Sequence, residues 1–131
     1  MSVLIDTDVV IDHLRGVAEA MECLLGIVDS DEIPALSVVT VAEIEAGVRE
    51  EERAAVESLL GSFTLLEVDA PIARLAGGLR RIYGPTHGVL LPDAIIAATA
   101  VVHGRTLYTL NRKHYPMPEV DVTVPYRKSP G

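Results

Sequence analysis

Short apolar runs alternate with helix-forming stretches along almost all of this chain, and that alternation limits its fold more than any other feature. Residues 2–5, 33–39, 63–68, 106–110 and 120–124 read as strands, each a few apolar or β-branched residues bounded by turn formers. Pro34 suits the start of the second strand. Between them lie helical stretches at residues 8–15, 18–28, 51–60, 71–83 and 92–102, with a further helix from Val41 that stops near Gly47. Thr40, with Glu43 three residues on, has the pattern of a capping box. Pro92 fits a first helical turn, Gly104 a helix end, and residues 84–88 a loop. Strands alternating with helices imply a parallel sheet covered on both faces, and right-handed crossovers leave few topologies. With 131 residues, no internal repeat and no linker, the chain reads as a single domain spanning residues 1–131.

Composition removes several function classes. The chain has no Trp and one Phe, which argues against an aromatic platform for single-stranded nucleic acid. Eleven basic against nineteen acidic residues leave a net charge of −8, which argues against a protein that coats nucleic acid through phosphate contacts. A nuclease is still allowed, because a metal in a cleft inverts the local field. Arg105, Arg112, Lys113, Arg127 and Lys128 all lie in the last third. They read as solvated surface, with a phosphate-facing rim around Arg112 and Lys113 as the alternative. No apolar stretch reaches the roughly 18 residues of a membrane span, so no membrane partner is expected. The N-terminus lacks a signal peptide's basic region, and Cys23 is alone, so the chain reads as cytoplasmic.

Four apolar runs end on groups able to bind a metal. Val3-Leu4-Ile5 leads into Asp6, Ser37-Val38-Val39-Thr40 towards Glu43, Leu90-Leu91-Pro92 into Asp93, and Leu107-Tyr108-Thr109-Leu110 into Asn111. In a parallel α/β sheet the carboxyl ends of neighbouring strands open on one crevice, where ligands bind. Three carboxylates and an amide oxygen suit a hard divalent cation, Mg²⁺ or Mn²⁺. Each group also has a plainer reading. Asp6 or Asp8 can cap the next helix, Asp8 can support the site from behind, and Asp12 is most simply a solvated helix residue. The capping box accounts for Glu43, the helix dipole for Asp93, and a turn for Asn111. Asp6 and Asp93 are the two that these plainer readings explain least. His114 offers one further contact, whereas His13, His87 and His103 show no metal spacing.

Leu4-Ile5-Asp6-Thr7-Asp8-Val9-Val10-Ile11, the stretch SVVTVAEIEAG from Ser37, Leu91-Pro92-Asp93-Ala94-Ile95-Ile96-Ala97-Ala98 and Thr109-Leu110-Asn111-Arg112-Lys113-His114-Tyr115 together resemble the PIN domain, specifically the VapC-type toxins of toxin–antitoxin pairs. The resemblance covers nearly the whole chain in order. It implies a three-layer α/β/α sandwich with a central, mostly parallel sheet, homodimerisation, and Mg²⁺- or Mn²⁺-dependent cleavage of RNA. It also implies a small antitoxin protein as partner. Asp6, Glu43 and Asp93 match the family's acidic triad, and Asn111 takes its more variable fourth place. Asp8 stands where the family often has Ser or Asn, which leaves open whether it adds a ligand. The rival readings are a haloacid-dehalogenase-like phosphatase with Asp6 as nucleophile, a receiver-like signalling domain, and an inactive interaction module of the same fold. The first needs a downstream Lys motif that the chain does not offer, and the second finds only a poor phosphoacceptor at Val68-Asp69-Ala70.

Overall fold

The computed structural model describes residues 2–128. Five parallel strands form one sheet: β1 (Val3–Ile5), β2 (Ala35–Ser37), β3 (Thr64–Leu66), β4 (Thr106–Tyr108) and β5 (Val122–Thr123), in the order β3-β2-β1-β4-β5. Every pairing is parallel, so the expected mostly parallel sheet is wholly so. β1 is central and its three residues are all buried, the pattern of a strand covered on both faces. Its side chains alternate between the two sides. Leu4 joins Ile72, Leu79, Ile96 and Leu107 in one core, while Val3 and Ile5 join Val9, Leu24, Leu36 and Phe63 in the other. These two cores make the three-layer α/β/α sandwich.

One helical layer holds α1 (Thr7–Leu14), α2 (Ala18–Asp29), α3 (Val38–Gly47) and α4 (Arg53–Leu60), the last preceded by a 3₁₀ turn at Glu50–Glu52. The other holds α5 (Ala70–His87) and α6 (Leu91–His103). Ala94, Ala97, Ala98 and Ala100 bury one side of α6 almost completely, and their small size lets its axis approach the sheet and α5 closely. Gly104 ends α6 at φ 62°, a left-handed conformation that a β-carbon disfavours. Among the described residues no helix is long and apolar enough to cross a membrane.

Three sequence expectations change here. The strand expected over residues 33–39 ends at Ser37, and α3 begins at Val38 and not Val41, because the Ser37 hydroxyl accepts from the Val39 amide at 3.1 Å and caps it. Thr40 is therefore not the cap, and no capping box accounts for Glu43. The loop expected at residues 84–88 is instead the last turn of α5, which carries Pro85 and stops only at Gly88, φ 68°. A proline so near the end of a helix costs little more than one backbone hydrogen bond. Asp12 is not solvated: it is 7% exposed and accepts from the Tyr126 hydroxyl at 2.9 Å and the Lys128 ammonium at 3.2 Å.

Candidate active site

The strand order reverses direction at β1. The chain runs outward from β1 through β2 to β3, then returns to the other side of β1 with β4 and β5. The carboxyl ends of β1 and β4 therefore flank a switch point, where a parallel sheet leaves a crevice. Asp6 follows β1 directly, and Thr109, Leu110 and Asn111 follow β4.

Asp6 is 6% exposed and both of its oxygens are held. Oδ1 accepts from the Thr7 amide at 2.8 Å, which makes Asp6 the cap of α1. Oδ2 accepts from the Thr109 hydroxyl at 2.7 Å and the Tyr115 hydroxyl at 2.9 Å. Capping and site geometry thus share one side chain. Asp93 lies in the first turn of α6, and its Oδ1 stands 3.4 Å from the same Tyr115 hydroxyl. A hydroxyl has one proton to donate, and the shorter contact assigns it to Asp6. The imidazole of His114 faces the other Asp93 oxygen at 3.6 Å.

Glu43, in the second turn of α3, is exposed at the rim. Its Oε1 accepts from the Thr7 hydroxyl at 2.7 Å, and the Thr40 hydroxyl lies 3.0 Å from that same Thr7 oxygen. Asp8 does not cap α1. Its Oδ2 accepts from the Leu110 amide at 3.0 Å and the Asn111 side-chain amide at 2.9 Å, and the Thr109 hydroxyl oxygen, whose proton goes to Asp6, lies 3.3 Å away. Asn111 consequently does more than turn the chain: its amide nitrogen is committed to Asp8, leaving its carbonyl oxygen as the group it can offer.

The electrostatics follow from crowding four carboxylates at one crevice. Burial, and then the Asp6 charge, push the Asp8 carboxyl up to about 6, against the backbone amides that favour its ionised form. Asp93 is raised by burial and then by Asp6, with Glu43 adding to the shift and His114 opposing it. Tyr115 is raised far above the usual phenol range by burial and by Asp6 and Asp93, so it stays a proton donor. Asp8 Oδ1 is buried and has no hydrogen-bond partner among the described residues. An orphaned carboxylate oxygen among mutually repelling carboxylates fits a hard divalent cation, and the donor set is all oxygen. Among the described residues no three His, Cys, Asp or Glu side chains already stand as a metal cage; hydroxyls of Thr7, Thr109 and Tyr115 hold the acids instead.

The sequence-derived quartet therefore resolves into three hydrogen-bonded groups. Tyr115 joins Asp6 to Asp93, and Asp8 joins Asn111 to the β4 end, while Thr7 brings Glu43 against the start of α1. Tyr115, Thr7 and Thr109 were not anticipated. Hydroxyl residues carry no spacing signal, and the only hint for Tyr115 was an aromatic ring in an otherwise charged turn.

Both the sequence and the fold match known proteins. The model of the PIN domain family matches residues 3–120. The chain is similar to Ribonuclease VapC10 of Mycobacterium tuberculosis, at 44% identity over 116 residues, covering 88% of this chain and 86% of that protein. It is similar to Ribonuclease VapC19 of the same organism, at 41% identity over 115 residues, covering 87% and 92%. Among solved structures it resembles a toxin–antitoxin complex from Klebsiella pneumoniae, with a TM-score of 0.79 and 29% identity over 95% of this chain and 98% of that one.

Proposed function

This chain belongs to the PIN domain family, and on that premise we propose that it is an endoribonuclease acting as the toxin of a toxin–antitoxin pair. Relatives at 41% and 44% identity, aligned over nearly all of their own length, are named ribonucleases, which supports RNA as the substrate. The single observation that carries the chemistry is the joining of Asp6 and Asp93 by the Tyr115 hydroxyl at the switch point of the sheet. The phosphatase reading is not favoured, since the match is to the PIN family and both Asp6 oxygens are engaged by hydroxyl and amide donors.

In this reading Asp6, Asp93 and Glu43 hold the cation, with Asn111 and Asp8 as further oxygen donors. A bound Mg²⁺ or Mn²⁺ supplies Lewis-acid charge that activates water and neutralises the phosphate and the leaving oxygen. The chain's own residues set the geometry. Thr109 and Tyr115 fix Asp6, Thr7 fixes Glu43, and Asp8 orients the Asn111 amide. His114, beside Asp93, stands ready to donate a hydrogen bond to a phosphate oxygen.

An antitoxin protein is the partner under this proposal, supported by the toxin–antitoxin complex that the chain resembles at 29% identity. Homodimerisation and a cytoplasmic location belong to the same reading. Exposed Ile82, Leu90 and Leu91 give α5 and the start of α6 an apolar surface suited to a second copy. The test is to incubate the purified chain with total RNA, with and without Mg²⁺ or Mn²⁺, and map the new ends. Discrete cuts that need the metal support the proposal; intact RNA under every condition overturns it.

A further inference from the structure

Beside the carboxylates runs an open groove of about 590 Å³, lined by Asp8, by Asn111 and Arg112 after β4, and by Tyr126, Arg127 and Lys128 near the end of the described chain. These walls come from segments with no local reason to face one another. Two tethers bring them together. The Arg112 guanidinium donates to the Val122 carbonyl at 3.2 Å, which ties it to β5. Buried Asp12 accepts from Tyr126 and Lys128, which straps residues 126–128 across α1 one turn beyond Asp8.

Three of the chain's eleven Lys and Arg residues therefore line one groove, although the net charge is −8. Simple neutralisation of the acidic site does not explain them. Lys128 pairs with Asp12 and not with a site carboxylate, Arg112 binds a carbonyl, and Arg127 is exposed with no ion-pair or hydrogen-bond partner among the described residues. Two guanidinium groups lining one groove suit the phosphates of an extended strand, whose oxygens they can engage in pairs.

We propose that this groove carries the RNA strand past the carboxylates, with Arg112 and Arg127 on its backbone phosphates and Asp12 as the positioning residue that holds the Arg127 wall. The inference rests on the ribonuclease reading above and adds the residues that guide the substrate.

The test is binding of a fluorescein-labelled single-stranded oligoribonucleotide in EDTA, where no metal-dependent cleavage intervenes, measured by anisotropy across a salt series. Cleavage of the same oligonucleotide in Mg²⁺ is followed in parallel. Each lost phosphate contact lowers the slope of log K against log salt by about 0.7 on a single strand. Arg112→Gln and Arg127→Gln are each expected to show that drop, with affinity roughly three- to tenfold lower at low salt. Asp12→Ala is expected to weaken binding likewise, although deleting a negative charge near a phosphate path would by itself tighten it. Tyr126→Phe, which removes one tether and keeps the ring, gives the same direction should Asp12→Ala fold poorly. Wild-type binding with unchanged slopes in both arginine variants overturns the groove and leaves the ribonuclease reading intact. Tighter binding by Asp12→Ala, or unchanged binding by Tyr126→Phe, overturns the positioning role. A wild type that neither binds nor cuts RNA removes both this inference and the reading beneath it.

Discussion

The Tyr115 hydroxyl donates to Asp6 across 109 positions of sequence, at 2.9 Å, and places its oxygen 3.4 Å from Asp93. One phenol thereby fixes the spacing of two acids carried by different elements, the end of β1 and the start of α6. Both acids repel each other, and burial sharpens that repulsion. The hydroxyl relieves part of it by donating its hydrogen bond to Asp6.

Removing that proton has a defined cost. Tyr115→Phe is expected to lower the stability of the metal-free protein by about 1–3 kcal/mol, the range for stripping a donor from a buried charged acceptor. Urea unfolding in EDTA measures it. Stability equal to wild type would mean that Thr109 and Thr7 alone satisfy Asp6.

Asp8 predicts a pH dependence with a clear sign. Its carboxyl rises from 3.8 to about 6 in the folded protein, mainly through burial and then through Asp6. Between those values the folded state binds more protons than the unfolded state, so metal-free stability falls as pH rises through that window. The charge penalty is fully present above about pH 6 and is relieved on acidification. At pH 8, Asp8→Asn should therefore be more stable than wild type by on the order of 2 kcal/mol, allowing for partial solvent screening. The gap should close between pH 6 and 4, as read by thermal melts in EDTA. A gap independent of pH would contradict the raised carboxyl.

Ser37 is the cap that sets the register of α3 and so the place of Glu43. It is fully buried, and its hydroxyl accepts from the Val39 amide. Ser37→Ala is expected to cost about 1 kcal/mol, a drop of a few degrees in Tm for a chain of this size. An unchanged Tm would return the cap to Thr40 and the capping box to Glu43.

Much of this architecture can be read from the residues, and what cannot has identifiable causes. The alternation of apolar runs and helices gives the parallel sheet, because strands covered on both faces must be apolar throughout, as Val3-Leu4-Ile5 is. Asp6 stands out because it ends such a strand, and Asp93 because it follows the apolar Leu90-Leu91-Pro92 into the first turn of α6. The start of α3 is hidden because Val38-Val39-Thr40 prefers a strand by local propensity, and the Ser37 cap with tertiary packing overrides that preference. The full length of α5 is hidden because Pro85 punctuates it near its end. Tyr115 and Thr109 meet Asp6 only after β4 pairs with β1, a relation that no spacing along the chain encodes. The strap on Asp12 is likewise a product of the fold, joining residues more than a hundred positions apart.

Under the proposed function Asp6 and Asp93 act together on a metal to cut RNA. This joint action is tested most directly by the Mg²⁺-dependent cleavage rate of purified Asp93→Asn, with circular dichroism to show that the fold is kept. A loss of roughly a thousandfold or more is expected, the scale of several kcal/mol of lost charge stabilisation. A folded Asp93→Asn protein that cuts RNA within a few-fold of the wild-type rate would contradict it.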